Sequence, residues 1–155
     1  MNKIVRFGVS ISIPLFIGFL GASFTTPSIP TWYAALNKPL LNPPNSLFGP
    51  VWTVLYLLMG ISLFLIWNQK TKLNKKRAYT LFAVQLLLNL IWSYIFFALR
   101  LPPIALVEII ILWLAILMTI IKFHAINKPA AHLLIPYILW VSFATYLNYQ
   151  IVLLN

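Results

Sequence analysis

Apolar residues run along this chain in long uninterrupted blocks, and the polar residues gather between them. A mainly apolar segment of roughly 17 to 25 residues crosses the hydrocarbon core of a bilayer as one helix. Five segments meet that condition, at residues 4–24, 50–67, 79–99, 103–123 and 131–154. Strands of a membrane barrel would alternate over about ten residues, with polar positions facing the lumen. The run Ile109-Ile110-Ile111-Leu112-Trp113-Leu114 does not alternate. Backbone polar groups must be paired internally in lipid, so these blocks predict helices. The chain therefore reads as all-α: one polytopic membrane domain over residues 1–155, a bundle of five transmembrane helices. Lys3 and Arg6 ahead of the first block imitate a signal peptide. The block is longer than such a segment and four more spans follow it, so a retained helix is expected.

Composition agrees with the pattern. With 62% hydrophobic and 8% charged residues, the chain lies outside the range of soluble domains. A net charge of +10 would suit a nucleic-acid binder. The basic residues, however, sit in short clusters between apolar blocks, where membrane topology accounts for them, and no nucleic-acid partner is expected. Lys3, Arg6, Lys70, Lys72, Lys75, Lys76, Arg77, Lys122 and Lys128 fall on one side of the membrane, against Lys38 and Arg100 on the other. Lysine and arginine in short loops mark the cytoplasmic side, which predicts a cytoplasmic N-terminus and an external C-terminus. The absence of cysteine excludes disulfides, thiol catalysis and cysteine-based metal sites. No glycine-rich phosphate loop occurs, and a single acidic residue excludes a carboxylate pair. No metal site is predicted.

The loop 25–49 is unlike a flexible linker, which would be polar. It carries Pro27, Pro30, Pro39, Pro43 and Pro44 together with Trp32, Tyr33 and Phe48. Long ordered loops are often binding loops. This one reads either as a lid over the outer mouth of the bundle or as an aromatic anchor at the headgroup level. Within the spans, Gln85, Asn89, Trp92 and Phe96 share one face of the third helix by their spacing. Trp140, Ala144, Asn148 and Ile151 do so on the fifth, and Trp52 and Tyr56 on the second. Facing one another, these stripes would line an apolar pocket with a few hydrogen-bonding groups. The competing reading is plain packing, with amides bridging helices and tryptophans in the interfacial belt. The belt fits Trp67, beside the basic loop; it fits Trp52 nearly as well as the pocket does, and Trp92 and Trp140 poorly.

Glu108 is the sole acid of the chain and lies inside the fourth span. An intramembrane carboxyl is a functional-site candidate, as a proton relay, or else a helix-to-helix hydrogen bond. The structural bond is favoured here, because a relay would show more titratable groups along the spans. His124 and His132 flank the last loop of the basic side and are expected to be interfacial. Pro136 is expected to kink the fifth helix.

Several stretches resemble the translocator protein (tryptophan-rich sensory protein) family. Lys38-Pro39-Leu40-Leu41-Asn42-Pro43-Pro44, followed by Phe48-Gly49-Pro50-Val51-Trp52-Thr53-Val54-Leu55-Tyr56, is similar to its first loop and second helix. Gln85-Leu86-Leu87-Leu88-Asn89-Leu90-Ile91-Trp92 with Phe96-Phe97 is similar to its third helix. Leu134-Ile135-Pro136-Tyr137, Trp140 and Ala144-Thr145-Tyr146-Leu147-Asn148 are similar to its fifth. The matches are in order and extend over nearly the whole chain.

The resemblance implies a five-helix bundle, a homodimer, and a pocket beneath the first loop for porphyrins such as protoporphyrin IX and for benzodiazepine-site ligands. No covalently bound cofactor is implied; porphyrin would be ligand or substrate. Carried over by position, the pocket would include Ala22, Trp32, Pro44, Gly49, Val51, Trp52, Asn89, Trp92, Ile104, Val107, Ile111, Trp140, Ala144 and Leu147. Tyr56 and Phe96 join it from the stripes. Trp52 and Trp140 match the tryptophans that bacterial relatives link to light-dependent porphyrin breakdown. Leu41 stands where many relatives have a lid tryptophan. No basic residue follows Tyr146 or Tyr149, so the cholesterol motif of the animal proteins is missing. A bacterial plasma-membrane protein is expected, with a small transporter of tetrapyrroles or other hydrophobic compounds as the alternative.

Overall fold

The protein, described here by a computed structural model over residues 2–155, is a bundle of helices with no strand among the described residues. The helices are α1 (Lys3–Ser28), α2 (Asn45–Asn68), α3 (Lys76–Ser93), α4 (Pro102–Ile126), α5 (Lys128–His132) and α6 (Ile135–Leu154). π-helical turns extend α1 over Ile29–Tyr33 and α3 over Tyr94–Ala98. With α5 and α6 taken together, five helical segments are long and apolar enough to cross a membrane.

The ends of these helices follow from local chemistry. The Asn2 side chain accepts from the Ile4 N–H at the start of α1. Proline stands in the first turn of α4, α5 and α6, where its missing N–H would have had no helical partner. Lys75 Nζ donates to the carbonyls of Trp67 and Gln69, closing the C-terminal end of α2. The first helix runs well beyond the expected end near residue 24. Pro30 has no N–H for the carbonyl of Thr26, and there the helix widens into the π turn instead of stopping. Trp32 and Tyr33 then pack on the end of α3, with Trp32 5.6 Å from Phe96 and Tyr33 5.8 Å from Phe97. Pro136 does not kink a continuous fifth helix. It opens α6 after a turn at Leu133–Leu134 that separates it from α5.

The spans pack in a ring, α1 beside α2, α2 beside α5, the α5–α6 unit beside α4, α4 beside α3 and α3 beside α1. Near the middle, α1 and α2 nearly touch: a Cβ on Gly60 would sit 2.7 Å from Ile11 Cα. The half of the bundle at the basic end is filled solid. Met59, Ile66, Ile116 and Phe123 are wholly buried, and Phe82 stacks on Phe123 at 5.8 Å. The other half is not filled, and the candidate site lies there.

Candidate functional site

Above the α1–α2 crossing, a cavity of about 560 Å³ is enclosed by α1, α2, α3 and α6. The stripe Gly18, Gly21, Ala22 and Thr25 brings α1 close without filling the space. From α2 come Phe48, Gly49, Trp52, Thr53 and Tyr56; from the end of α3, Trp92, Ser93, Phe96 and Phe97. The wall from α6 is Trp140, Ala144, Leu147, Asn148 and Ile151. The π turn of α3 matters here, because one extra residue per turn lets the neighbours Phe96 and Phe97 both face the cavity. Phe96 also stacks on Trp92 at 5.1 Å. The exposed members of the wall, such as Ala22, Thr26, Asn45, Ser46 and Gly49, all lie on α1 and the first turns of α2. The cavity therefore opens between those two helices.

Its floor is a hydrogen-bonded chain. Tyr56 Oη donates to Asn89 Oδ1 at 2.5 Å, and Asn89 Nδ2 donates to Tyr137 Oη at 3.0 Å. Trp52 stacks on Tyr56 at 5.5 Å and meets Tyr137 edge-on at 6.2 Å. Gly18 is what admits Tyr56, since a Cβ there would lie 2.5 Å from the phenol ring. A second chain braces the wall. Trp92 Nε1 donates to Asn148 Oδ1 at 3.2 Å, and Asn148 Nδ2 donates to the Pro102 carbonyl at 2.9 Å. Trp140 meets Phe48 at 6.1 Å, and its buried Nε1–H has no acceptor. No charged side chain lines the cavity. Such a site can hold a large, flat, apolar molecule against aromatic faces.

Of the residues singled out in the sequence, Ala22, Gly49, Trp52, Tyr56, Trp92, Phe96, Trp140, Ala144 and Leu147 come together on this wall. Asn89 lies beneath it, in the floor. Val51 turns away from the cavity and packs against the core. Trp32 backs Phe96 from behind, and Pro44 ends the connection just before α2. Ile104, Val107 and Ile111 are elsewhere altogether. They form an exposed stripe on the outer face of α4, because the opposite face, with Ala105, Ile109 and Leu112, is the one buried against the bundle. The fourth span contributes nothing to the cavity.

The expected long loop is shorter than 25–49, comprising only residues 36–44. It crosses the open end of the bundle and is clipped to the end of α6. Asn37 N–H donates to Asn155 Oδ1, Asn37 Nδ2 to the Leu154 carbonyl, and Asn155 Nδ2 to the Asn37 carbonyl. Tyr33, the last residue of the π turn, donates its Oη to Asn42 Oδ1 of this loop at 2.8 Å, and Lys38 lies over the Tyr33 ring. Glu108 is buried on the inner face of α4, but neither carboxyl oxygen has a partner. The expected helix-to-helix bond is thus not made, because no facing helix brings a donor to either oxygen. His124 and His132 are exposed at the basic end, their rings 6.0 Å apart and remote from the cavity.

Tyr137 and the role of Asn148 as the partner of Trp92 were not among the expectations; from α1 only Ala22 was expected, and Gly18, Gly21 and Thr25 join it on the wall. The small residues at 18, 21, 22 and 25 recur at helical spacing, and that stripe was the available signal for α1.

Residues 10–154 match the model of the TspO/MBR family. Over 157 aligned residues the chain is 44% identical to the tryptophan-rich protein TspO of Chlorobaculum tepidum, covering 100% of this chain and 99% of that one. It is 45% identical to the tryptophan-rich protein TspO of Archaeoglobus fulgidus, covering 99% of each. With the tryptophan-rich sensory protein of Cereibacter sphaeroides it shares 33% identity over 91% of each chain.

Proposed function

Since the chain belongs to the TspO/MBR family, we propose that its cavity binds porphyrin-like tetrapyrroles such as protoporphyrin IX, and synthetic benzodiazepine-site ligands. The observation that carries this reading is the cavity itself: about 560 Å³, uncharged, and walled by three tryptophans with Tyr56, Phe96 and Phe97. Its size lies within the range of roughly 300–1,000 Å³ common for small-molecule pockets. Flat aromatic ligands gain both apolar burial and offset or edge contacts from such walls. The solid packing of the basic half supports a receptor or sensor over a conducting transporter. A transported molecule would need a path through Met59, Ile66, Ile116 and Phe123, all fully buried.

Trp52 and Trp140 both border the space the ligand would occupy. On this reading they give the site a slow, light-dependent porphyrin-degrading chemistry. An indole in contact with an excited porphyrin donates an electron to it, and dioxygen is the final oxidant. The protein acts as a homodimer in a bacterial plasma membrane, with the basic end cytoplasmic by the distribution of lysine and arginine.

Protoporphyrin IX fluorescence with the purified protein in detergent, in the dark and then under light, tests this. Saturable binding is expected, with light-driven loss of porphyrin that Trp52→Phe and Trp140→Phe both slow by at least about ten-fold, an effect of about 1.4 kcal/mol on the barrier. Binding without protein-dependent loss would remove the photochemical part. An absence of saturable binding would remove the tetrapyrrole reading.

A further inference from the structure

At the basic end of the bundle, away from the cavity, Arg6 is set apart from the exposed cations of the loop. Lys70, Lys72, Lys76 and Arg77 are exposed on the loop or first turn that precedes and opens α3. Arg6 is instead tucked among the ends of three helices. Its Nη1 donates to Asn68 Oδ1 of α2 at a long 3.4 Å. It lies within electrostatic range of Tyr79 of α3. Its Nε–H is buried and has no acceptor.

A guanidinium keeps its charge in a protein and offers five N–H donors. Arg6 spends one of them, and weakly. The chain has no anion to set against it. Its only acidic side chain, Glu108, lies near the far end of α4. It is 18 residues from Ile126, roughly 27 Å along the helix. The C-terminal residue Asn155 lies at the far end too, bound to Asn37. The countercharge of Arg6 must come from outside the chain.

Position says what supplies it. Arg6 is three residues into the first span, at the depth where a membrane protein meets phospholipid headgroups. The next residue, Phe7, meets Phe64 of α2 edge-to-face at 5.2 Å, so an apolar track of two rings lies one residue on from Arg6. A planar fork beside an apolar track suits a phosphodiester that carries acyl chains.

We propose that Arg6, flanked by Asn68 and Tyr79, is a binding site for the phosphate of an anionic phospholipid in the leaflet at the basic end. The site is separate from the cavity and holds whether or not the cavity takes porphyrin. It differs from general attraction to a charged surface because the contact belongs to one side chain in a cleft.

Lipid retention on the full chain, measured by native mass spectrometry and by thermal unfolding in detergent, tests it. The probes are phosphatidylglycerol, phosphatidylcholine and free glycerol phosphate. Phosphatidylglycerol is expected to bind the unaltered chain at least about ten-fold more tightly than phosphatidylcholine, as loss of a charge-assisted hydrogen bond typically produces changes of that order. Arg6→Gln should erase that preference, while Lys72→Gln, which removes the same charge from an exposed loop, should leave it within about two-fold. Tyr79→Phe, a smaller change that keeps the fold if Arg6→Gln does not, should weaken phosphatidylglycerol by about three-fold or more. Equal losses from Arg6→Gln and Lys72→Gln would overturn the site in favour of diffuse charge. Glycerol phosphate binding as well as the lipid would overturn the lipid assignment. An unchanged preference in Tyr79→Phe would overturn the three-helix cleft.

Discussion

Asn89 holds two phenols at once, one from α2 and one from α6, among buried side chains. Substituting leucine would leave the Tyr56 and Tyr137 hydroxyls buried and one-sided. Each such loss costs about 1–3 kcal/mol, so Asn89→Leu should destabilise the bundle by about 2–6 kcal/mol. Tyr137→Phe, which removes a single bond, should cost about 1–2 kcal/mol. Unfolding in detergent measures both; equal effects from the two would contradict the floor as drawn. Asn89 and Trp92 were legible in the sequence, because an amide and a tryptophan at helical spacing stand out in an apolar helix. Tyr137 was legible by the same rule, three residues before Trp140 on the same face of its helix, and was passed over. Ile104, Val107 and Ile111 failed for a different reason. Nothing polar marks either face of their stretch of α4 except Glu108, which by spacing sits at the border between the exposed stripe and the buried face and is itself buried.

Helices meet here through small local accommodations that composition alone does not reveal. The five spans were plain from block length, but their ends were not. Pro30 widens α1 into a π turn instead of ending it, and a second π turn sets Phe96 and Phe97 on the cavity wall. The return from α3 to α4 is made by Arg100, at φ 58°, in the left-handed region that a side chain occupies at a cost. Arg100→Gly should therefore stabilise the protein by about 1 kcal/mol, seen as a higher midpoint of unfolding. The crossing of α1 and α2 is the reverse case. A methyl group on Gly60 would meet the Ile11 backbone at 2.7 Å and the Ser10 carbonyl at 2.9 Å, neither of which can swing aside. Gly60→Ala should cost about 1–3 kcal/mol and loosen the floor of the cavity above it. No loss of stability in Gly60→Ala would mean the two helices are further apart than described.

Across the whole molecule, the bundle divides into a solid basic half and a hollow half roofed by residues 36–44. The orientation proposed from the charge distribution can be tested directly, because the chain has no cysteine of its own. A cysteine at position 40, where Leu40 is fully exposed, should react with a membrane-impermeant maleimide on intact cells. One replacing Lys72 should react only after the membrane is opened. The central claim concerns the hollow half. Ala144 borders the cavity beside Trp140, and Ile111 is on the outer face of α4. The most direct measurement is a protoporphyrin IX quenching titration of Ala144→Phe and Ile111→Phe against the unaltered chain. If the cavity is the binding site, the phenyl ring at position 144 takes up space the ligand needs and affinity falls by at least about ten-fold, or 1.4 kcal/mol, while the ring at 111 leaves it unchanged. Undiminished binding in Ala144→Phe, or a loss confined to Ile111→Phe, would contradict the account and move the site to the outer face of α4.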